Sequence, residues 1–288
     1  MLDTCNSPRR AGHRLLHLAL AQCRAARSTL ALRVHGRPGG LFHLRQGQVV
    51  AVETPGAPGV EALLLRSGRV SAADWSSLSP TGALEPGAEL VARGRIGAAE
   101  LKVVTMMALR DAVFAVVAGE TAECVAVKQG GPTVPAVGGE DPLKLLEEAA
   151  RKVVGLEALP QAVLPDRERV VAGRGVVGPA EDLAPHRREI LFHANGRRTA
   201  RDIAFVVGRG VYQVTVEISR MLGEGLLERA GRGEVLGTTT AWSVPALEPR
   251  RVAAAPDAVD ERTELPYRVP GASGFTTKAL VTDPSATG

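Results

Sequence analysis

A chain of 288 residues with 45% hydrophobic side chains is long enough for about two domains, each burying a core without disulfide or metal staples. A net charge of +4 and a pI near 9.2 permit a nucleic-acid partner but exclude a histone-like polycation. Cys5, Cys23 and Cys124 contain no CxxC pair and leave one odd cysteine, which excludes a disulfide framework and suits small hydrophobic roles in a reducing cytosol.

Aromatic residues make up only 3% of the chain, so its cores must be aliphatic. The most apolar run, 103–118, is interrupted by Arg110-Asp111 and is too short to span a bilayer. The apolar stretch behind Arg9, Arg10 and Arg14 is broken by His17, Gln22 and Arg24, which argues against a signal peptide. A cytoplasmic protein without a membrane partner is expected.

Residues 1–12 are polar, contain Pro8, and are expected to be flexible. Residues 13–27 have the spacing of an amphipathic helix with Leu15, Leu16, Ala19, Leu20 and Cys23 inward. His17 on that helix is read as a surface histidine. Three alternating runs follow, 29–35, 40–45 and 48–53, separated by the turn signals Arg37-Pro38-Gly39 and Gln46-Gly47. They predict a three-stranded meander with one buried face.

An internal repeat comes next. Leu-Leu-Arg-Ser-Gly-Arg-Val-Ser-Ala-Ala-Asp-Trp at 64–75 recurs as Leu-Val-Ala-Arg-Gly-Arg-Ile-Gly-Ala-Ala-Glu-Leu at 90–101. Each copy reads as a helix, a glycine in the left-handed conformation, a β-branched plug (Val70 or Ile96), and Ala-Ala-acid opening a second helix. Residues 79–87, with Pro80 and Pro86, read as a loop. The second copy continues through Met106, Met107, Leu109, Ala112, Val113, Phe114 and Val117 as a long buried helix, with the methionines as core filler. A strand at 120–128, a Gly/Pro linker at 129–139 and a helix from Asp141-Pro142 to about Glu157 complete this half. A connector at 161–185 carries a short strand at 169–172.

Residues 187–194 form a short helix with Ile190, Leu191 and Ala194 on one face, stopped by Asn195-Gly196. Thr199 and Asp202 are placed for a reciprocal capping box, and Ile203, Ala204 and Val207 face the core of the next helix. After Gly208-Arg209-Gly210 a third helix runs over 211–224, with Val211, Val214, Ile218, Met221 and Leu222 inward. Tyr212, Gln213, Val216 and Arg220 lie roughly opposite. Gly225 ends it, and 226–230 and 234–239 flank Gly231-Arg232-Gly233 as a hairpin. Three helices and a hairpin in that order are the parts of a winged helix-turn-helix.

Such a module offers its third helix to the major groove and its hairpin tip to a neighbouring phosphate. Tyr212, Gln213, Val216 and Arg220 are the expected base-facing residues. Arg187, Arg188, Arg197, Arg198, Arg209 and Arg232 are expected to face phosphates. The alternative is a winged helix that serves as a protein-contact or dimerisation module without DNA, favoured by an apolar patch around Tyr212 and Val216.

Residues 13–158 resemble the PatA-type N-terminal domains of bacterial regulators in STLALRVHGRPGGLFHLRQGQVVAVE and EALLLRSGRVSAADW. The C-terminal segment resembles MarR-like winged helices in GRRTARDIA and LGEGLLER. The resemblances imply a regulatory or interaction module followed by an output module, and no enzyme. The repeat is also similar to the cyclic di-GMP elements of some type II secretion ATPase domains, but lacks their leading Arg-Leu-Gly and closing Gln.

Gly173-Arg174-Gly175-Val176-Val177-Gly178 is a literal GxGxxG, yet Pro179 follows at once where a dinucleotide fold opens a helix onto the pyrophosphate. His186 and His193 share a helix but have no Cys or carboxylate at ligand spacing. No GxSxG, HExxH or phosphate loop is present, so neither catalysis, metal nor cofactor is expected. Residues 242–288 are rich in Pro, Ala, Thr and alternating charge, and are expected to be disordered, with Thr276-Thr277 as the one candidate modification site.

The expectation is an α+β chain: flexible residues 1–12, a regulatory domain at 13–158 (N-terminal helix, three-stranded meander and helical repeat), a linker at 159–184, a winged helix-turn-helix at 185–241 and a disordered tail at 242–288. Functionally it is expected to be a DNA-binding transcriptional regulator that meets a protein partner or itself through its N-terminal domain. A homodimer is allowed. The alternative is a non-enzymatic signalling adaptor.

Overall fold

The structure, a computed structural model, describes residues 7–78, 85–128, 131–132, 134–173 and 183–231. The N-terminal half runs α1 (Ser7–Ala25), β1 (Leu30–Arg37), β2 (Gly40–Arg45), β3 (Gln48–Glu53), α2 (Val60–Arg66), α3 (Ala72–Ser76), α4 (Pro86–Ala92), α5 (Ala98–Ala118), β4 (Glu120–Val127) and α6 (Pro142–Glu157). The C-terminal part adds β5 (Arg169–Ala172), α7 (Pro185–His193), β6 (Asn195–Thr199), α8 (Ala200–Val207), α9 (Val211–Gly223) and β7 (Leu227–Arg229).

The three strands of the meander form where predicted, but β2 buries both faces rather than one, with Leu41 and His43 covered as well as Phe42 and Leu44; β4 returns to pair with β1, giving the antiparallel order β3-β2-β1-β4. One sheet face, with Leu32, Val34, Phe42 and Val49, is buried with Leu16 and Leu20 of α1 and with Leu109, Val113 and Phe114 of α5. The helix α1 runs Ser7–Ala25, which corrects residues 7–12 of the flexible stretch expected at 1–12; residues 1–6 lie outside the described residues. Gly12 permits this, because a Cβ there would stand 2.6 Å from the Thr121 carbonyl oxygen on β4. Leu15, expected inward, is 40% exposed; Leu16 and Leu20 carry the buried stripe.

The repeat folds as two matching turns. Gly68 and Gly94 have φ of +70° and +65°, and Val70 and Ile96 are buried with Leu64, Leu90 and Val104 in a small core of their own. The copies exchange ion pairs: Arg69 Nη1 lies 2.9 Å from Glu100 Oε1, and Arg95 Nε lies 3.1 Å from Asp74 Oδ1. Each arginine meets the acid of the other copy, the reciprocal pattern of an isologous contact. Of the predicted loop, Pro86 and Gly87 belong to the first turn of α4, while 79–84 lie outside the described residues.

Two stretches expected to be linkers are packed. Val134 and Ala136 are buried, and the Ala136 N–H donates to the Val50 carbonyl at 2.7 Å. Their backbone groups find partners on β3, so this segment is held to the sheet. The predicted 159–184 linker contains β5, which lies centrally in a second antiparallel sheet of order β6-β5-β7. Val163 and Val170 are buried, and Arg167 Nη2 reaches Glu120 Oε1 at 2.6 Å. One apolar core therefore runs from Leu16 and Phe114 through Val170 to Ile190, Ile218 and Leu227. The two halves separated in the sequence reading share it.

Of the predicted hairpin, β7 is described; Arg232, the second strand at 234–239, and the tail at 242–288 with Thr276-Thr277 lie outside the described residues.

Candidate functional site

The site is organised by how α9 begins. Thr199 and Asp202 form the capping box that starts α8: the Asp202 N–H donates to Thr199 Oγ1 at 3.2 Å and the Thr199 N–H to Asp202 Oδ2 at 3.0 Å. Gly208 ends α8 at φ +65°, so the chain turns within Gly208-Arg209-Gly210. The residue preceding α9, Gly210, has no side chain with which to cap it. Instead the Val211 N–H donates to Asp111 Oδ2 at 2.6 Å and the Tyr212 N–H to Asp111 Oδ1 at 3.0 Å. Asp111 belongs to α5, so the helix is capped from the other half of the chain.

Asp111 is buried, and burial pushes its carboxyl above the usual carboxylate range, while the Tyr212 and Val211 N–H groups and the charge of Lys152 pull it down. The space around it is closed. A Cβ on Gly210 would stand 3.3 Å from Asp111 Oδ1, and one on Gly208 would stand 2.4 Å from Arg66 Cβ. Tyr212 meets Phe114 edge to face with centroids 5.1 Å apart, and Lys152 Nζ lies 5.3 Å from the Tyr212 centroid.

From its first turn onward, α9 forms one wall of an open groove of about 460 Å³ against α7. The structure brings all four predicted base-facing residues, Tyr212, Gln213, Val216 and Arg220, onto this groove, together with His186 and Arg209. Gln213 is exposed, Tyr212 and Val216 are half-buried, and the Arg220 side chain is 59% exposed. The acid in the groove, Glu217, is only 12% exposed, with Arg187 Nε at 2.6 Å, Arg220 Nη1 at 3.6 Å and His186 Nε2 at 3.9 Å.

The predicted phosphate-facing arginines separate into two groups. Arg187 is turned inward: its guanidinium also binds Glu224 at 2.7 and 3.1 Å, and the Glu224 and Glu217 hydrogen bonds raise its already high pKa. Arg198 Nη1 lies 3.0 Å from His193 Nδ1, and the His193 pKa is lowered by burial and by that guanidinium. Arg209 Nε lies 3.5 Å from Glu189 Oε2. Arg188 and Arg197 are exposed.

Asp111 is the residue that sequence reasoning missed. It was visible only as an interruption of the apolar 103–118 run. Its available signal was that an acid on the buried face of a helix requires donors from elsewhere. The GxGxxG glycine Gly173 follows β5, which is antiparallel to both neighbours, and 174–180 lie outside the described residues. Cys23 and Cys124 are half-buried, and desolvation, Glu123 and Cys23 push the Cys124 thiol up to about 11. Among the described residues, no three His, Cys, Asp or Glu side chains gather at metal-binding separations, and no helix is long and apolar enough to cross a membrane.

Against known protein families, curated proteins and solved structures, the chain matches no family model, no curated protein and no structure.

Proposed function

We propose that the chain is a non-enzymatic signalling adaptor whose C-terminal part is a winged-helix-like protein-contact module, with the groove between α7 and α9 as its contact surface. The observation that carries this reading is the capping of α9 by Asp111. A helix that reads a duplex leads with its N-terminal turn, whose side chains meet base edges and whose N–H groups suit phosphate oxygens. Here the first two N–H groups are bound to a carboxylate, and Tyr212 is held on one side by Phe114 and Lys152. A carboxylate beside that turn also repels phosphate.

The groove suits a protein segment. Tyr212 and Val216 offer apolar surface, Gln213 offers an amide, and Arg209 and Arg220 outnumber the screened Glu217. Its complement is a peptide pairing an apolar side chain with an acidic one. The resemblance of the N-terminal half to PatA-type domains fits an interaction module as well. Duplex DNA is the second reading, favoured by the exposure of Gln213 and Arg220 on one face of α9 and of Arg188 and Arg197 nearby in sequence.

Two measurements on the full chain separate them. A photo-crosslinking amino acid at Gln213, expressed in the cells the chain comes from, should give one protein adduct that Val216→Glu abolishes. Anisotropy with random and genomic duplexes should show no specific binding. Submicromolar duplex binding that weakens steeply between about 50 and 200 mM salt, and that Arg220→Ala reduces, would establish the DNA reading instead.

A further inference from the structure

A second cavity, on the N-terminal half and independent of the α7/α9 groove, has the chemistry of a cation site. It has a volume of about 280 Å³ and lies between β3, the start of α2, α3 and the middle of α5. Thr105, Ala108 and Val134 in its wall are buried apolar or small groups. Trp75, Glu53 and Glu61 are among its lining residues. The chain has 35 lysines and arginines against 31 acids, yet the described wall holds no lysine, arginine or histidine.

Each element favours the same kind of guest. An indole face attracts a cation through its quadrupole, more strongly where water is thinned out. Glu61 is exposed and has no ion-pair partner among the described residues. The Glu53 carboxylate is 54% exposed and lies 3.2 Å from His43 Nε2, a contact misaligned for a hydrogen bond. Thr105 Oγ1 already donates its proton to the Lys102 carbonyl at 2.9 Å, so toward a guest its hydroxyl can only accept. The small volume is at the lower end for organic ligands, which limits the guest to a few heavy atoms beyond its charged head. An anion would meet Glu53 and Glu61 with no lysine, arginine or histidine in the described wall to offset them.

We propose that this cavity binds a small organic ammonium ion, with its charged head at Trp75, Glu53 and Glu61 and its alkyl portion against the α5 wall. The full chain carrying Trp242→Phe leaves Trp75 as the single indole and so makes its fluorescence a direct reporter. Choline and n-propylammonium are the probes, with 3,3-dimethylbutan-1-ol as the neutral isostere of choline. The expected result is a saturable fluorescence change with at least one cation, at least tenfold weaker binding of the isostere, and several-fold weakening by Glu53→Gln or Glu61→Gln. No saturable response to either cation up to 20 mM would overturn the proposal. So would equal affinity for the isostere, a comparison made on the Trp242→Phe chain itself that needs no further variant to fold. Unchanged affinity in both glutamine variants would overturn it too.

Discussion

The joint between the two repeat copies and the joint between α5 and α9 use the same ingredients in opposite surroundings. In the repeat, Asp74 and Glu100 meet arginines at the surface, all four side chains between about a quarter and a half exposed, while Val70 and Ile96 carry the apolar contact. At the second joint, Asp111 meets backbone N–H groups inside the protein. Solvent screens the first arrangement and makes its charges dispensable. Burial makes the second arrangement costly to build and more costly to break, because the buried Val211 donor has no water to turn to. The repeat is thus held by its plugs, and the seating of α9 by one carboxylate.

The largest expected effect follows from that difference. Asp111→Ala strands the Val211 and Tyr212 N–H groups and should cost about 3 kcal/mol, combining the loss of a cap with an unsatisfied buried donor. Denaturant unfolding of the full chain measures it. A loss below about 0.5 kcal/mol would show that α9 is held by its apolar face alone. The same residue gives a signed pH dependence. Its folded pKa is raised chiefly by burial, so the folded state binds more protons than the unfolded chain between the ordinary aspartate value and that raised value. Stability contributed through Asp111 therefore falls as pH rises across this window. Asp202 and Glu148 are shifted down and act in the opposite sense, losing stability as pH falls. Subtracting the Asp111→Asn profile from the parent profile isolates the Asp111 component, which should decline with rising pH.

Next in size is a pair of glycines with nearly the same dihedral. Gly68 at φ +70° has open space where a Cβ would go, while Gly208 at φ +65° has Arg66 Cβ 2.4 Å away. Gly68→Ala should cost about 1 kcal/mol, the left-handed penalty alone. Gly208→Ala should cost about 1–2 kcal/mol more, because α8 would have to move off α2. Equal losses would mean that this contact between the halves yields freely.

Much of this architecture was legible in the sequence, for local reasons. The strand and helix boundaries around Gly40–Arg45, Gln48–Glu53 and Pro142–Glu157 follow from alternation, turn glycines and the Asp141 cap, all written within a few neighbouring residues. The Thr199/Asp202 capping box and the Gly68 and Gly94 turns were readable in the same way. The four groove residues were found because helical periodicity separates the exposed face of α9 from its buried one. What periodicity cannot supply is which surfaces meet. Asp111 and Val211 are a hundred positions apart, and the short Arg169–Ala172 strand reads as part of a connector until its two sheet partners are known. Glu217 is equally instructive: its screening by Arg187 depends on how α7 crosses α9, which no local pattern records.

The smallest effect tests the other side of the comparison. Arg69 and Glu100 are each about half exposed, so their hydrogen-bonded pair should contribute at most about 0.5 kcal/mol, measured as the coupling energy of an Arg69→Ala, Glu100→Ala double-mutant cycle. The pseudo-equivalent Arg95 and Asp74 pair should give a similar figure, since it occupies the matching place in the repeat at 3.1 Å. Raising salt to about 1 M should shrink both couplings, while Ile96→Ala, which empties part of the buried plug, should still cost about 2–4 kcal/mol. A coupling above about 1.5 kcal/mol in either pair would mean that the repeat is held by its charges after all, and the contrast with the buried carboxylate of α5 would then rest on geometry rather than on solvent.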